Sequence, residues 1–447
     1  MQSKNSLSYS KLIIIHLIIG FVVFLFPLFT KLYSILIIGF GLILILKSKN
    51  ANNEALVAAA YLVGAEVLLR MTGGVPLYEF GKYGILLFLF IGMLYQGFSK
   101  SSFIYWIFII ILLPGVFYSF ITLSFDADIR KAILFNLSGP LSLAISAIYC
   151  YNRKISLKDL NNVILAVGLP VVSVLVYLIF YTPSIKEVVT GTGSNFETSG
   201  GFGPNQVSTV LGLATFVFLS RAILASSSIL YLSINLIISF LLAYRGIVTF
   251  SRGGMFTAFI MVFALVFVLY LKTSRIGKVK LSIVFSVLLV MILAVWTYSE
   301  IQTNGLINKR YANQDALGRE KSSMLTGRED LMQVEIDFFL QNPILGIGVG
   351  NSKEERFLQT GNIAQSHSEI TRMLAEHGIL GIVGLMILIL TPLLSGINNK
   401  HHIYLYSFFI FWLLTINHAA MRIAAPGFIY GLSLLKVRMD DDIVHRE

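Results

Sequence analysis

The sequence predicts an all-α polytopic membrane protein of about 12–14 transmembrane helices, with one long external loop containing amphipathic helices. Three observations carry this. The 447 residues are 56% hydrophobic and 13% charged, with a mean hydropathy of +0.79, so most of the chain is unsuited to soluble surface. The apolar residues come in runs of fifteen to twenty-three, whereas the strands of a membrane barrel would alternate polar and apolar positions. Polarity gathers in one stretch, from Glu300 to His377.

In chain order the expected spans are 12–29, 32–46, 54–69, 83–98, 102–124, 132–150, 160–181, 206–224, 228–248, 253–271, 281–298, 378–395 and 403–418. A weaker run, 423–435, suits either a further span or a re-entrant piece. Lys4 and Lys11 before Leu12–Phe26 resemble a signal peptide, but no small-residue cleavage pattern follows, so this is expected to be an uncleaved first span. With the N-terminus inside, the short loops carry seventeen Lys and Arg inside against nine outside, once the eight in the long loop are set aside. The long loop is thus expected to be external and both termini cytoplasmic. The chain divides into N-terminal helices and an external loop (1–204), a catalytic region including external loop 299–377 (205–395), and C-terminal segments with a short tail (396–447). A second external loop, Thr182–Asn205, reads as a mobile lid or as a connector.

The net charge of +11 does not point to nucleic acid, because Lys and Arg sit at the ends of apolar runs as topology signals and lipid headgroup contacts. The single cysteine, Cys150, excludes an internal disulfide. The histidines show no metal-ligand spacing beyond the adjacent His401 and His402, so neither metal nor cofactor is expected.

Within the long loop, Thr326-Gly-Arg-Glu329 fits a capping box that opens a helix with Leu331, Val334, Phe338 and Phe339 apolar, on the membrane face, up to Asn342-Pro343. Ser366-His-Ser-Glu369 fits another, which places His367 at the first helical position and ends at Gly378. There the helix dipole disfavours imidazolium, so His367 either caps the helix or serves as a neutral proton acceptor. Arg328, in a first turn where a cation opposes the dipole, either binds an anion or reaches to headgroups. Arg245 and Arg252 stand near the external junction of two spans, where a buried arginine defaults to function; Arg70 and Arg422 are weaker cases. Arg372 has Glu369 and Glu376 on its own helix face and also suits an ordinary charge network. Gly346-Ile-Gly-Val-Gly350-Asn351 reads as a tight turn rather than a phosphate nest, because it lacks the lysine of a P-loop.

His367-Ser368, nine residues and then Gly378-Ile-Leu-Gly381 resemble the hallmark of the O-antigen ligase and polymerase-like membrane glycosyltransferases of bacterial surface polysaccharide assembly. Asn342-Pro-Ile-Leu-Gly-Ile-Gly-Val-Gly350, Thr326-Gly-Arg328 and Thr249-Phe-Ser-Arg252-Gly253 are similar to the family's other blocks, in its order, over roughly Gly203–Leu385. Arg252 is followed by Gly-Gly-Met-Phe256 where the ligase branch often has Leu, which leaves Arg245 or Arg252 as the counterpart.

The resemblance implies an inverting, metal-independent transfer from a glycan on undecaprenyl pyrophosphate, presented at the outer leaflet of the bacterial inner membrane, to an acceptor hydroxyl. His367, Arg328 and Arg252 would be catalytic, and Arg245, Arg372 and Ser368 would bind substrate. The acceptor would be lipid A-core or an equivalent for a ligase, another lipid-linked repeat for a polymerase, or a protein. A transporter of lipid-linked sugars is the alternative from another class, although it should show repeat-related halves and ionisable residues at mid-membrane.

Overall fold

A computed structural model describes residues 8–123, 128–321, 323, 328–360, 366–418 and 421–438. The predicted cap Thr326-Gly327, Asp126, Lys4 and the acidic Asp440–Asp442 lie outside the described residues. The chain packs as two compact units that interleave along the sequence, Met1–Phe80 with Lys158–Glu320 and Gly81–Leu157 with Lys321–Glu447. The stretch from Glu300 to His377, which reads as one loop in sequence, therefore divides between them.

Helices dominate in order. The chain opens with α1 (Tyr9–Leu25), α2 (Phe29–Ser48) and α3 (Glu54–Met71), then α4 (Phe80–Gln96), α5 (Phe103–Thr122) and α6 (Ile129–Cys150). There follow α7 (Leu157–Tyr181), α8 (Ile185–Val188), α9 (Pro204–Leu224), α10 (Ile229–Ile247), α11 (Arg252–Lys272), α12 (Arg275–Gln302) and α13 (Leu306–Tyr311). The last five are α14 (Arg328–Gln341), α15 (Asn351–Thr360), α16 (Glu369–Asn398), α17 (Leu405–Thr415) and α18 (Ala425–Leu432). Among the described residues, nine helices are long and apolar enough to cross a membrane, and α1, α4 and α17 are shorter apolar helices. This is an all-α polytopic membrane fold. Every expected apolar run falls on a helix; the weak run near the C-terminus is the eight-residue α18, too short to cross at 1.5 Å per residue.

In the first unit, α9 is buried along most of its length and packs against α10 and α11. Small residues permit this: a Cβ on Gly254 would lie 2.3 Å from the Ser208 backbone, and one on Gly212 would lie 2.4 Å from the Gly254 carbonyl. Gly254, two residues after Arg252, thus lets the first turn of α11 sit directly on α9. The Thr182–Asn205 segment is hydrogen-bonded to its own unit. Thr198 Oγ1 donates to the Val248 carbonyl (2.7 Å), the Asn195 N–H to that of Thr249 (3.0 Å) and Thr192 Oγ1 to that of Gln314 (2.8 Å).

In the second unit, α5 packs on α6 and α16, α6 on α18, and α14 on α16. The parallel strands β1 (Lys154–Ser156) and β2 (Lys436–Arg438) tie the end of α6 to the segment after α18.

Candidate active site

The second unit builds its site around a turn. Helix α14 ends before Asn342-Pro343, as expected, because proline cannot extend it. Its apolar residues pack towards α16: Val334 and Phe338 lie with Ile347 and Ala375. Gly346, Gly348 and Gly350 follow with φ of +70°, +92° and +87°. Ile347 N–H donates to the Ala375 carbonyl (2.8 Å), Gly348 N–H to the Glu376 carbonyl (3.2 Å) and Gly350 N–H to Glu376 Oε1 (2.9 Å). These donors face α16, so the glycine block is a turn and not a phosphate nest. Gly378, with φ of +60°, interrupts α16 where a Cβ would come within 2.6 Å of the Pro343 and Ile344 carbonyls. The two glycine-bearing blocks read from sequence are therefore one interlocked structure.

His367 stands one residue ahead of the α16 cap. Ser368 is the N-cap, with its side chain accepting the Thr371 N–H (3.4 Å), and Glu369 opens the helix. The expected Ser366 cap does not form, because its hydroxyl lies 2.9 Å from the Ser368 carbonyl and 3.2 Å from Glu335 Oε2. His367 is thus not kept neutral by a first-turn position. Burial and then the positive charges of Arg422 and Arg328, with His418 and Arg356, push it down to about 4. Its Nδ1 is buried without a hydrogen-bond partner among the described residues. At neutral pH the ring is a free base.

Three ionic groups surround this turn, the first and last of them buried. Glu335 of α14, 1% exposed, pairs with the fully buried Arg356 of α15 (Oε1 to Nη2, 2.6 Å), and its Oε2 accepts from Thr371 Oγ1 (2.6 Å). Desolvation raises the Glu335 carboxyl, against the pull of its partners. Arg422 Nη2 donates to the Ser366 carbonyl (2.8 Å). Arg372 bonds Glu369 with two nitrogens, Glu376 Oε2 through Nη1 (2.5 Å) and the Asn136 carbonyl through Nη2 (3.1 Å). The charge network expected from its spacing is present, and its guanidinium is fully engaged.

In the first unit, Arg245 is buried at the end of α10. Its Nη2 donates to the Thr182 carbonyl (3.0 Å), while Nε and Nη1 lack hydrogen-bond partners among the described residues. Arg252 is half-buried at the start of α11, behind Phe250, whose φ of +59° is costly for a bulky residue. The Phe250 carbonyl accepts from Arg310 Nε (3.0 Å). Tyr311 is pushed up to about 12 by burial, against the charges of Arg252 and Arg310 beside it.

The second unit thus brings together His367, Arg328 and Ser368 around Glu335, Arg356 and Arg422; the first holds Arg245 and Arg252 with Arg310. Sequence reading missed Glu335, Arg356 and Arg310. Glu335 had a signal, since it occupies the apolar stripe of Leu331, Val334 and Phe338 on α14. Among the described residues, no group of three or more His, Cys, Asp or Glu converges as a metal site.

Residues 237–386, from within α10 to within α16, match the family model described as O-Antigen ligase. Over this region the chain is similar to the O-antigen ligase family. No curated protein matches it. For this multi-pass membrane protein the match supports an activity of the glycosyltransferase-like class in surface polysaccharide synthesis, with a lipid-linked glycan donor and a glycan acceptor. The matched region holds Arg245, Arg252, Arg328 and His367, whereas Arg422 comes from beyond it.

Proposed function

We propose that the protein is a ligase that transfers a glycan from undecaprenyl pyrophosphate to a hydroxyl of lipid A-core, or an equivalent acceptor, on the external face of the bacterial inner membrane. The observation that carries this reading is a half-buried imidazole at His367, its buried Nδ1 without a hydrogen-bond partner among the described residues, set among Arg328, Arg356 and Arg422. The acceptor oxygen bonds to the anomeric carbon from the face opposite the leaving group, with inversion. The bond to the pyrophosphate oxygen breaks with its electron pair, and the hydroxyl proton passes to His367. Arginines stabilise the departing polyanion through paired donors, the role a metal ion could otherwise take, so the transfer needs no metal and no cofactor.

Arg328 and Arg252 serve the leaving group, with Arg245 and Ser368 as binding residues and Arg372 holding α16 in place. The catalytic region is 205–395 with 299–377 external, joined by Arg422 from the C-terminal segment; both termini are cytoplasmic.

The test is a deletion strain carrying wild-type protein or His367→Ala, with lipid-linked and acceptor-linked glycan separated on gels. Long chains held on the lipid carrier with a bare acceptor support a ligase. An acceptor carrying single repeats makes the enzyme a polymerase, and donor trapped on the inner face makes it a transporter. Equal glycans in both strains remove His367 from the mechanism.

A further inference from the structure

We infer that Glu335, through its pair with Arg356, is a positioning residue that fixes the turn bearing His367 and offsets a positive charge beside it. This rests on the reading of His367 as the base. The carboxylate joins three segments. Oε1 holds Arg356 of α15 at 2.6 Å; Oε2 takes Thr371 of the first turn of α16 at 2.6 Å and lies 3.2 Å from Ser366, the residue before His367.

Ser366 is gripped from both sides, because its carbonyl also accepts from Arg422 (2.8 Å). Ser368, on the other side of the histidine, caps α16 and takes the Ser366 hydroxyl on its carbonyl. The imidazole Nδ1 itself has no hydrogen-bond partner among the described residues. In a triad, a carboxylate orients the base by bonding its ring. Here the carboxylate bonds the residue next to the base, so the ring is placed through its backbone.

The electrostatic side follows from the same contacts. Among the described residues, the charged and titratable groups facing this turn are Arg328 and Glu335 on α14, Arg356 on α15, Glu369, Arg372 and Glu376 on α16, and His418 and Arg422 beyond α17. Arg372 is matched by Glu369 and Glu376, and Arg356 by Glu335. Removing the Glu335 charge takes from Arg356 the carboxylate that offsets it within reach of His367. The imidazole then becomes a weaker base, and removing Arg356 makes it a stronger one.

The experiment compares purified wild-type, Glu335→Gln, Arg356→Gln, the double variant and His367→Ala. The donor is lipid-linked glycan extracted from a deletion strain, and the acceptor is envelope lipid of that strain. Expected for Glu335→Gln is a loss of about 10²-fold in kcat, as for a reacting group displaced by about an ångström, with donor KM unchanged.

The acid limb of its pH profile moves to lower pH, that of Arg356→Gln moves to higher pH, and the double variant, which leaves no orphaned charge, returns towards wild type. A purely structural pair would not move the limbs in opposite directions. Folded Glu335→Gln with wild-type kcat and an unmoved limb, where His367→Ala is inactive, overturns the inference. Should Glu335→Gln fail to fold, the limb of Arg356→Gln is expected at higher pH than that of the double variant, and their coincidence overturns the inference equally. If His367→Ala remains active, the base reading fails instead; diethyl pyrocarbonate labelling of His367 against pH then decides whether Glu335 controls the ring.

Discussion

Arg372 and Arg356 of the second unit are held differently from Arg245 of the first, although the first unit's Arg70 is also buried against a carboxylate, that of Glu66 (3.4 Å). In the second, Arg372 and Arg356 are buried against carboxylates of their own chain, Glu369 and Glu376 for one and Glu335 for the other. In the first, Arg245 is equally buried but bonds only a carbonyl, and two of its nitrogens lack hydrogen-bond partners among the described residues. A buried cation supplied with its own anion is part of the scaffold, because removing either partner strands the other. A buried cation without one is poised for an anion that arrives from outside. Residue type and burial are the same in both cases; the partner decides the role.

The largest expected effect is at the base. His367→Ala lowers transfer by about 10² to 10⁴-fold, read as acceptor-linked glycan per unit time. A base must be unprotonated, so the rate falls as pH drops through its pKa. With His367 down at about 4, the acid limb of kcat/KM lies well below that of an ordinary histidine. In kcat, which reports the bound complex, the limb moves up, because pyrophosphate offsets the arginine charges. A kcat/KM limb near 6.5 would break the assignment of Arg328, Arg356 and Arg422 to the histidine's surroundings. The same depressed value bears on stability: the unfolded chain takes up the proton first, so this contribution is complete above about 6.5 and is lost as pH falls towards about 4.

The next effect tests the comparison directly. Arg372→Met leaves Glu369 and Glu376 buried without their cation and costs about 3–5 kcal/mol, seen as a lowered unfolding temperature in detergent. Arg245→Met strands no carboxylate among the described residues, so unfolding is expected to stay near wild type while donor KM rises about 10 to 100-fold, the worth of charge-assisted bonds to an anion. Equal destabilisation by the two variants would erase the distinction between the two kinds of buried arginine.

Much of this was legible in the sequence, and the rest failed for identifiable reasons. The apolar runs fix helices because a bilayer leaves no other partner for backbone N–H and C=O groups. Arg372 was readable because both its partners lie within one turn. His367 was found by residue type but misplaced at the helix start, since two serines compete for the cap and only a distant acceptor, Glu335, decides between them. Arg356 and Glu335 are twenty-one residues apart, a separation that no local pattern reports. The division of the Glu300–His377 stretch was likewise hidden, because polarity marks where chain leaves the membrane but not which unit it joins.

The smallest expected effect concerns how the first unit aims Arg252. Gly254 lies in the first turn of α11, and a Cβ there would meet the backbone of Ser208 and Thr209 at 2.3–2.5 Å, with no flexible side-chain end to yield. Gly254→Ala therefore forces α11 away from α9 at about 1–3 kcal/mol, the usual range for overpacking. Gly39 on α2 has no atom within 4 Å of the equivalent position, so Gly39→Ala leaves stability unchanged or raises it by up to about 1 kcal/mol through helix propensity. Because Arg252 opens α11, Gly254→Ala also shifts that guanidinium. It should raise donor KM with kcat less affected, whereas loss of stability alone would lower the amount of active enzyme at constant KM. Unchanged KM in folded Gly254→Ala would separate Arg252 from donor binding and leave Arg245 as the anion-binding arginine of its unit.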